Sequence, residues 1–129
     1  MAIAWMKRSR DARKRVAFSS DLSGADLRNV NLADTSLRDK LLDGADLRDA
    51  DLTAADLSRA SLRSANLRGA YLTGAICTGT DLTGADLTGA YLVATDLTGA
   101  RLDGATMDGL VHDQATTWPT GFRPPNWGR

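Results

Sequence analysis

From Ser20 to Gly109 the large apolar residues recur at every fifth position, without insertion or deletion. Eighteen five-residue words result, centred on Leu22, Leu27, Leu32 and onward to Met107; sixteen centres are leucine, and Cys77 and Met107 are the others. Alanine stands two residues before the centre in 12 of the 18 words, with Ser20, Val30, Thr35, Lys40, Thr80 and Thr95 as exceptions. A straight strand repeats every two residues, so a period of five would send successive leucines to opposite faces. A straight α-helix advances about 100° per residue and would scatter them around its circumference. A common interior requires the chain to turn by a fixed amount in every word. The pattern therefore predicts an all-β solenoid, each coil stacked on the one before, with leucine and alanine filling a narrow lumen. Glycine closes many words between Gly69 and Gly109, where a tight turn uses its backbone freedom.

The word A-(D/N)-L-x-x is intact at Ala25-Asp26-Leu27, Ala45-Asp46-Leu47, Ala65-Asn66-Leu67 and Ala85-Asp86-Leu87. It resembles the pentapeptide repeat family, and the resemblance covers 90 of the 129 residues. That resemblance implies a right-handed quadrilateral β-helix with four words per coil, one per side. Centre and alanine positions then point inward, so Leu27, Leu47, Leu67, Leu87, Cys77 and Met107 line the lumen, and the other three positions face out. Such a rod would have about 4.5 coils and run roughly 22 Å without its caps.

The chain divides into residues 1–18, a basic arm or cap, residues 19–112, the repeat, and residues 113–129, a C-terminal cap or tail. A net charge of zero conceals a polarity. Residues 1–18 hold Lys7, Arg8, Arg10, Arg13, Lys14 and Arg15 against Asp11, or +5, and the remainder carries −5. Residues 2–16 lack Gly and Pro and suit a helix. Their first expected task is to cover the open N-terminal end with Trp5, Met6, Val16 or Phe18, since an uncapped solenoid exposes its lumen and its strand edges. The rival is an arm, residues 7–15, that meets nucleic acid or an anionic membrane; a basic cluster without interleaved aromatics is a weak signal for it. At the other end Pro119, Pro124 and Pro125 cannot donate to a ladder, and Trp118, Phe122 and Trp127 supply bulk to plug the lumen. The segment Thr117-Trp118-Pro119-Thr120-Gly121-Phe122 is similar to the W-P-x-G-F ending of many pentapeptide repeat proteins. A homodimer through an end of the solenoid is compatible with such a cap.

With four words per coil, residues 20 apart lie one above another at about 4.8 Å. Arg28, Arg48 and Arg68 then form one outward ladder, beside Asp26, Asp46, Asn66 and Asp86. A lattice of exposed ion pairs is the plain expectation, each pair contributing about 0–1 kcal/mol. Tyr71 and Tyr91 also stand 20 apart, outward, and are expected to stack. They form the one outward aromatic pair of the repeat and the first candidate for a contact patch, unless they serve only to stiffen the sheet. Lys40 occupies an inward position, where an unpaired ammonium is prohibitive. Either it snorkels out between coils or a bulge turns it outward, with distorted backbone at 39–42.

Chemistry has few candidates. Cys77, at a centre, should behave as a small hydrophobe. The single His112 removes multi-histidine metal sites and most acid–base dyads, and phosphate-loop and dinucleotide fingerprints are absent. No catalytic, cofactor-binding or metal site is expected. The expectation is a cytoplasmic, non-catalytic module that meets another protein along its rigid sides. No apolar run approaches the ~20 residues of a membrane span. The alternatives are a DNA-mimicking binder of a type II topoisomerase, as resistance-conferring relatives imply, or an electrostatic tether through the basic arm. Against mimicry stand the Arg ladder, the short rod and the lack of Phe at any centre.

Overall fold

The computed structural model describes residues 16–124. The unit of the fold is a turn. In each word the amide at the inward alanine position donates to the carbonyl of the preceding centre, as Ala25 N does to Leu22 O and Ala45 N to Leu42 O, both at 3.0 Å. The third residue of every such turn has positive φ, the feature that defines a type II turn. Ten of the 18 words place Gly there, and the rest use Asn29, Asp34, Asp39, Asp49, Ala54, Arg59, Ser64 and Ala94. Asn and Asp tolerate this conformation through local hydrogen bonding, but it costs other side chains about 1–2 kcal/mol.

Turning in each word brings residues 20 apart into register. Single-residue parallel bridges join Asp21 to Leu41, Asp26 to Asp46, Asn31 to Asp51 and Ser36 to Asp56, and the series continues to Tyr91–Val111. Between rungs, Leu22 N donates to Leu41 O at 2.6 Å and Leu41 N to Ser20 O at 2.9 Å, a pattern repeated along the rod. Twenty residues per rung make four words per rung, so all centres share one interior. No centre from Leu22 to Leu97 is more than 3% exposed, and Leu102 and Met107 reach only 7% and 9%. Inward polar residues are satisfied within this space. Thr80 Oγ1 donates to Leu57 O at 2.7 Å and Thr95 Oγ1 to Leu72 O at 2.6 Å.

The N-terminal end departs from two expectations. Val16 is completely buried with the lumen residues, whereas Phe18 is 88% exposed and is not among the described residues of the core. The turn that bonds Ser19 N to Val16 O (3.2 Å) commits Val16 to the interior, and Phe18 lies outside it. Trp5 and the basic stretch 7–15 lie outside the described residues. Backbone at 39–42 is regular rather than bulged: Leu41 bridges both Asp21 and Ser61, and Leu41 itself is 45% exposed. Lys40 instead extends along the rod, its Nζ donating to Ser19 O at 2.7 Å and Ala17 O at 3.3 Å. Two carbonyls replace the water that its ammonium gives up, and the same bonds tie down the first residues of the solenoid.

At the other end the coil outlasts the five-residue repeat. Asp96 bridges Thr117, 21 residues on, so one extra residue is accommodated after Val111. The Asp113 carboxylate absorbs it. Its Oδ1 accepts Ala94 N at 3.0 Å, where other rungs use a backbone carbonyl, as Gly74 N uses Val93 O at 2.9 Å. Thr116 Oγ1 donates to Leu92 O at 2.7 Å and restores the inward pattern. Trp118 and Phe122 pack against the last lumen residues, their rings 5.4 Å apart. Trp127 lies outside the described residues.

Two measurements check this packing. Cys77 is 2% exposed, and burial pushes its thiol up to about 12. At pH 8 only about one molecule in 10⁴ would carry a thiolate, so a thiol reagent should label native protein negligibly and denatured protein fully. Replacing the left-handed, exposed Ala94 with Gly removes a Cβ penalty without emptying the core. Ala94→Gly should raise stability by about 1 kcal/mol in urea unfolding.

Candidate interaction surface

The outward positions are built in layers, the first belonging to the backbone. The amide just after each centre takes no part in the rung ladder. In ten words the Asp or Asn before the centre accepts it, as Asp21 does from Ser23 N (3.0 Å), Asp51 from Thr53 N (3.0 Å) and Asn66 from Arg68 N (3.2 Å). These side chains form Asx turns that satisfy an otherwise solvent-dependent donor. In some words the Ser or Thr hydroxyl after the centre adds a second bond to the same oxygen: Ser58 to Asp56, Thr83 to Asp81 and Thr98 to Asp96, each at 2.6 Å. The recurrent aspartates are thus spent on turns.

Arginines form the second layer, and a local rule decides their partners. Where Asp stands two residues before it, Arg pairs within its own word: Arg28 with both oxygens of Asp26 at 2.9 Å, and Arg48 with those of Asp46 at 2.9 and 2.6 Å. Where Ser or Asn stands there, the guanidinium swings to the next rung. Arg38 reaches Asp56 and Arg63 reaches Asp81 at 3.1 Å, and Arg68 reaches Asp86 at 3.2 Å. Arg28 also approaches Asp46 at 3.8 Å, which ties two like-charged rungs together. Arg59 holds Asp39 one rung away at 2.9 Å. Arg28, Arg48 and Arg68 are therefore engaged within the rod, each beside a carboxylate.

The third element is aromatic. Tyr71 and Tyr91 bridge one another through the backbone, and their rings stack at 4.9 Å with planes 7° apart. They remain 44% and 38% exposed. The column they occupy reads Asn31, Asp51, Tyr71, Tyr91, Val111. Beyond Asp51 the column itself carries no charge through Val111; the turns after it contribute Thr73, Gly74, Val93 and Ala94, and those before it Arg68, Gly69, Thr88 and Gly89.

Other chemistry is sparse. Among the described residues no group of three or more His, Cys, Asp or Glu side chains could hold a metal ion. No helix there is long and apolar enough to cross a membrane. Two open grooves, about 440 and 340 Å³, flank Phe122 at the C-terminal end, over Leu102 and Met107 on one side and Arg101 and Pro119 on the other. His112 meets the Trp118 ring edge-on at 5.7 Å and belongs to the end of the rod.

The profile of pentapeptide repeats matches residues 20–59, 41–76 and 75–109, the span in which every turn, bridge and lumen position above is repeated. The chain belongs to the pentapeptide repeat family. Among solved structures, a pentapeptide repeat protein from the Arabidopsis thaliana thylakoid lumen is 25% identical with a TM-score of 0.65, over 76% of this chain and 64% of that one. One from Nostoc PCC 7120 is 32% identical, over 89% and 88% of the two chains, with a TM-score of 0.49. Another, from the cyanobacterium Cyanothece 51142, is 36% identical over 76% and 63%, with a TM-score of 0.41. The chain thus spans less than two thirds of the length of the Arabidopsis and Cyanothece proteins. No protein of curated function matches it.

Pentapeptide-repeat aspartates make the rod acid-sensitive. The Arg48 guanidinium holds Asp46 below the usual carboxylate range, and the Thr98 hydroxyl and amide do the same for Asp96. At Asp56, Asp81 and Asp86 burial pushes the carboxyl up, but hydrogen bonds from Ser58, Thr83 and Thr88 and from arginines outweigh it. A carboxyl depressed on folding contributes stability that is present above its unfolded pKa, about 3.9, and is lost as pH falls through the folded value. The melting temperature should hold steady from about pH 8 to pH 5 and fall progressively below about pH 4. Asp46→Asn, which keeps the turn acceptor as Asn66 does, should flatten that fall.

Proposed function

We propose that this pentapeptide repeat chain is a non-catalytic structural and protein-interaction module, a right-handed four-sided rod of about 4.5 coils that meets its partner along the side carrying Tyr71 and Tyr91. The observation that carries the proposal is the exposed tyrosine stack, in a column of a preorganised surface that has no charged residue from Tyr71 to Val111. Rigid aromatic side chains bring large contact area at little entropic cost, and these two have already surrendered their freedom to one another. The arginine ladder is the weaker candidate, because Arg28, Arg48 and Arg68 each lie against a carboxylate of the rod. Its presence on the outward surface also counts against duplex mimicry, where a chain of phosphate-like charges is needed.

The test compares proteins captured from native lysate by the full chain with those captured by two variants. Tyr71→Ser with Tyr91→Ser should lose the specific partner, with a reduction of about 10-fold or more. Replacing Arg28, Arg48 and Arg68 together with Gln should change capture by less than about 3-fold. A partner lost with the arginines and kept without the tyrosines would move the contact to the charged side.

A further inference from the structure

We infer that the Tyr71 end of the tyrosine stack is an arginine-binding notch, and that the partner is a segment presenting an arginine there and an apolar residue about 14 Å further along. The inference rests on the reading of the Tyr71–Tyr91 side as a contact face and names the chemistry of what it meets. Charge gives the sign of the partner. Every arginine from Arg28 to Arg68 already holds a carboxylate of the rod, whereas of the 15 described aspartates only six hold an arginine, which leaves nine. Two of the nine, Asp49 and Asp51, stand one rung before Tyr71. Asp51 Oδ1 accepts its own Thr53 amide at 3.0 Å, and among the described residues no group bonds to its Oδ2. Asp49 lays its carboxylate against Gly69, in the space that a β-carbon there would take. The arginines of the adjoining words are turned toward the neighbouring side: Arg48 holds both oxygens of Asp46, and Arg68 reaches Asp86 at 3.2 Å.

Shape supplies the aromatic half. The Tyr71 and Tyr91 rings lie 4.9 Å apart with planes 7° apart, close to the ~4.8 Å between strands, so the stack runs along the rod. Tyr91 covers one face of Tyr71. The other face is turned toward the rung of Asp51, to which Tyr71 is bridged. A phenol ring reaches farther from the backbone than a carboxylate does, so it overhangs Asp51 and leaves a notch open to the outside. A guanidinium is flat and fits there, lying against the ring while its N–H groups point at Asp51 Oδ2 and Asp49. Lysine, a point charge with no plane to stack, fits less well. At the far end of the column Val111 is 42% exposed. Three rungs separate it from Asp51, about 14 Å, which an extended segment covers in about four residues. The column therefore matches Arg-x-x-x-Leu, and Asp113 adds a further carboxylate without an arginine beyond Val111.

Tyr71 and Tyr91 are the two tyrosines of the chain, so ring-labelled tyrosine reports on this side alone. The test is an NMR titration of the full chain with acetyl-Arg-Gly-Ser-Gly-Leu-amide at about 0.1 M NaCl. The Tyr71 ring signals, assigned with Tyr91→Phe, should shift to saturation. Citrulline in place of Arg, alike in shape but uncharged, should weaken binding about 5-fold; Lys in its place, or Ser in place of Leu, should weaken it about 3-fold. Asp51→Asn keeps the turn acceptor, as Asn31 does for the Ala33 amide, and should cut the preference for Arg over citrulline to about 2-fold or less. Tyr71→Leu, which repeats the outward leucine at position 41, should abolish the shift of the Tyr91 signals. Equal binding of the citrulline peptide, or a preference that survives Asp49→Asn combined with Asp51→Asn, overturns the inference. A preference that emerges only when Arg8, Arg10, Arg13 and Arg15 are replaced by Gln gives the notch to the chain's own basic arm and overturns the partner. If no peptide shifts the rings but lysate capture still depends on the tyrosines, the contact face stands and the arginine notch is wrong; if neither responds, both fall.

Discussion

A residue with positive φ must stand near the end of every word, because without that turn the next leucine would leave the interior. The remainder of the architecture follows from meeting this demand eighteen times in succession. Equal turns bring residues 20 apart into parallel register, and register lets three amides of each word, such as Leu22 N, Gly24 N and Leu41 N, find carbonyls in a neighbouring rung. The lumen that results is narrow. It accepts one leucine and one alanine per word, and it explains why a buried threonine hydroxyl at position 80 or 95 finds a carbonyl within reach. Glycine meets the conformational demand without strain; Ala54, Arg59, Ser64 and Ala94 meet it at a cost that the ladder around them sustains.

Given that scaffold, the outward residues divide according to what the backbone leaves unsatisfied. The aspartate before the leucine serves the amide after it, so its conspicuous recurrence reflects turn construction more than an acidic binding surface. Arginines then choose between two carboxylates according to what stands in their own word, which gives short-range pairs at Arg28 and Arg48 and rung-to-rung pairs at Arg38, Arg63 and Arg68. The exposed pairs contribute little individually, but they neutralise ladders of like charge that stacking would otherwise bring close together. The surface left over is the tyrosine column, which from Tyr71 to Val111 carries no charged residue of its own, unlike the other three.

The ends show where a repeating pattern stops being informative. Lys40 in an inward position reads as a defect when only its own word is considered. Its role depends on the carbonyls of Ser19 and Ala17, more than 20 residues away and outside any repeat. Likewise Phe18 is the bulkier neighbour of Val16, yet the turn at Val16–Ser19 buries the smaller residue and leaves the larger exposed. After Val111 the sequence no longer counts in fives, but Asp113 replaces a missing carbonyl and the coil continues to Thr117.

The amino-acid sequence alone determined the solenoid, the lumen residues including Cys77 and Met107, the family, and the stacking of Tyr71 on Tyr91. All of these depend on a period that is local and uninterrupted, so each word states the same instruction again. Tertiary structure alone decided which carboxylate each arginine takes, how Lys40 is satisfied, which of Val16 and Phe18 is buried, and how one extra residue is absorbed near the C-terminal end. Those outcomes depend on distances between rungs and on carbonyls left open where the stack begins or ends, and neither quantity is written in any five-residue word.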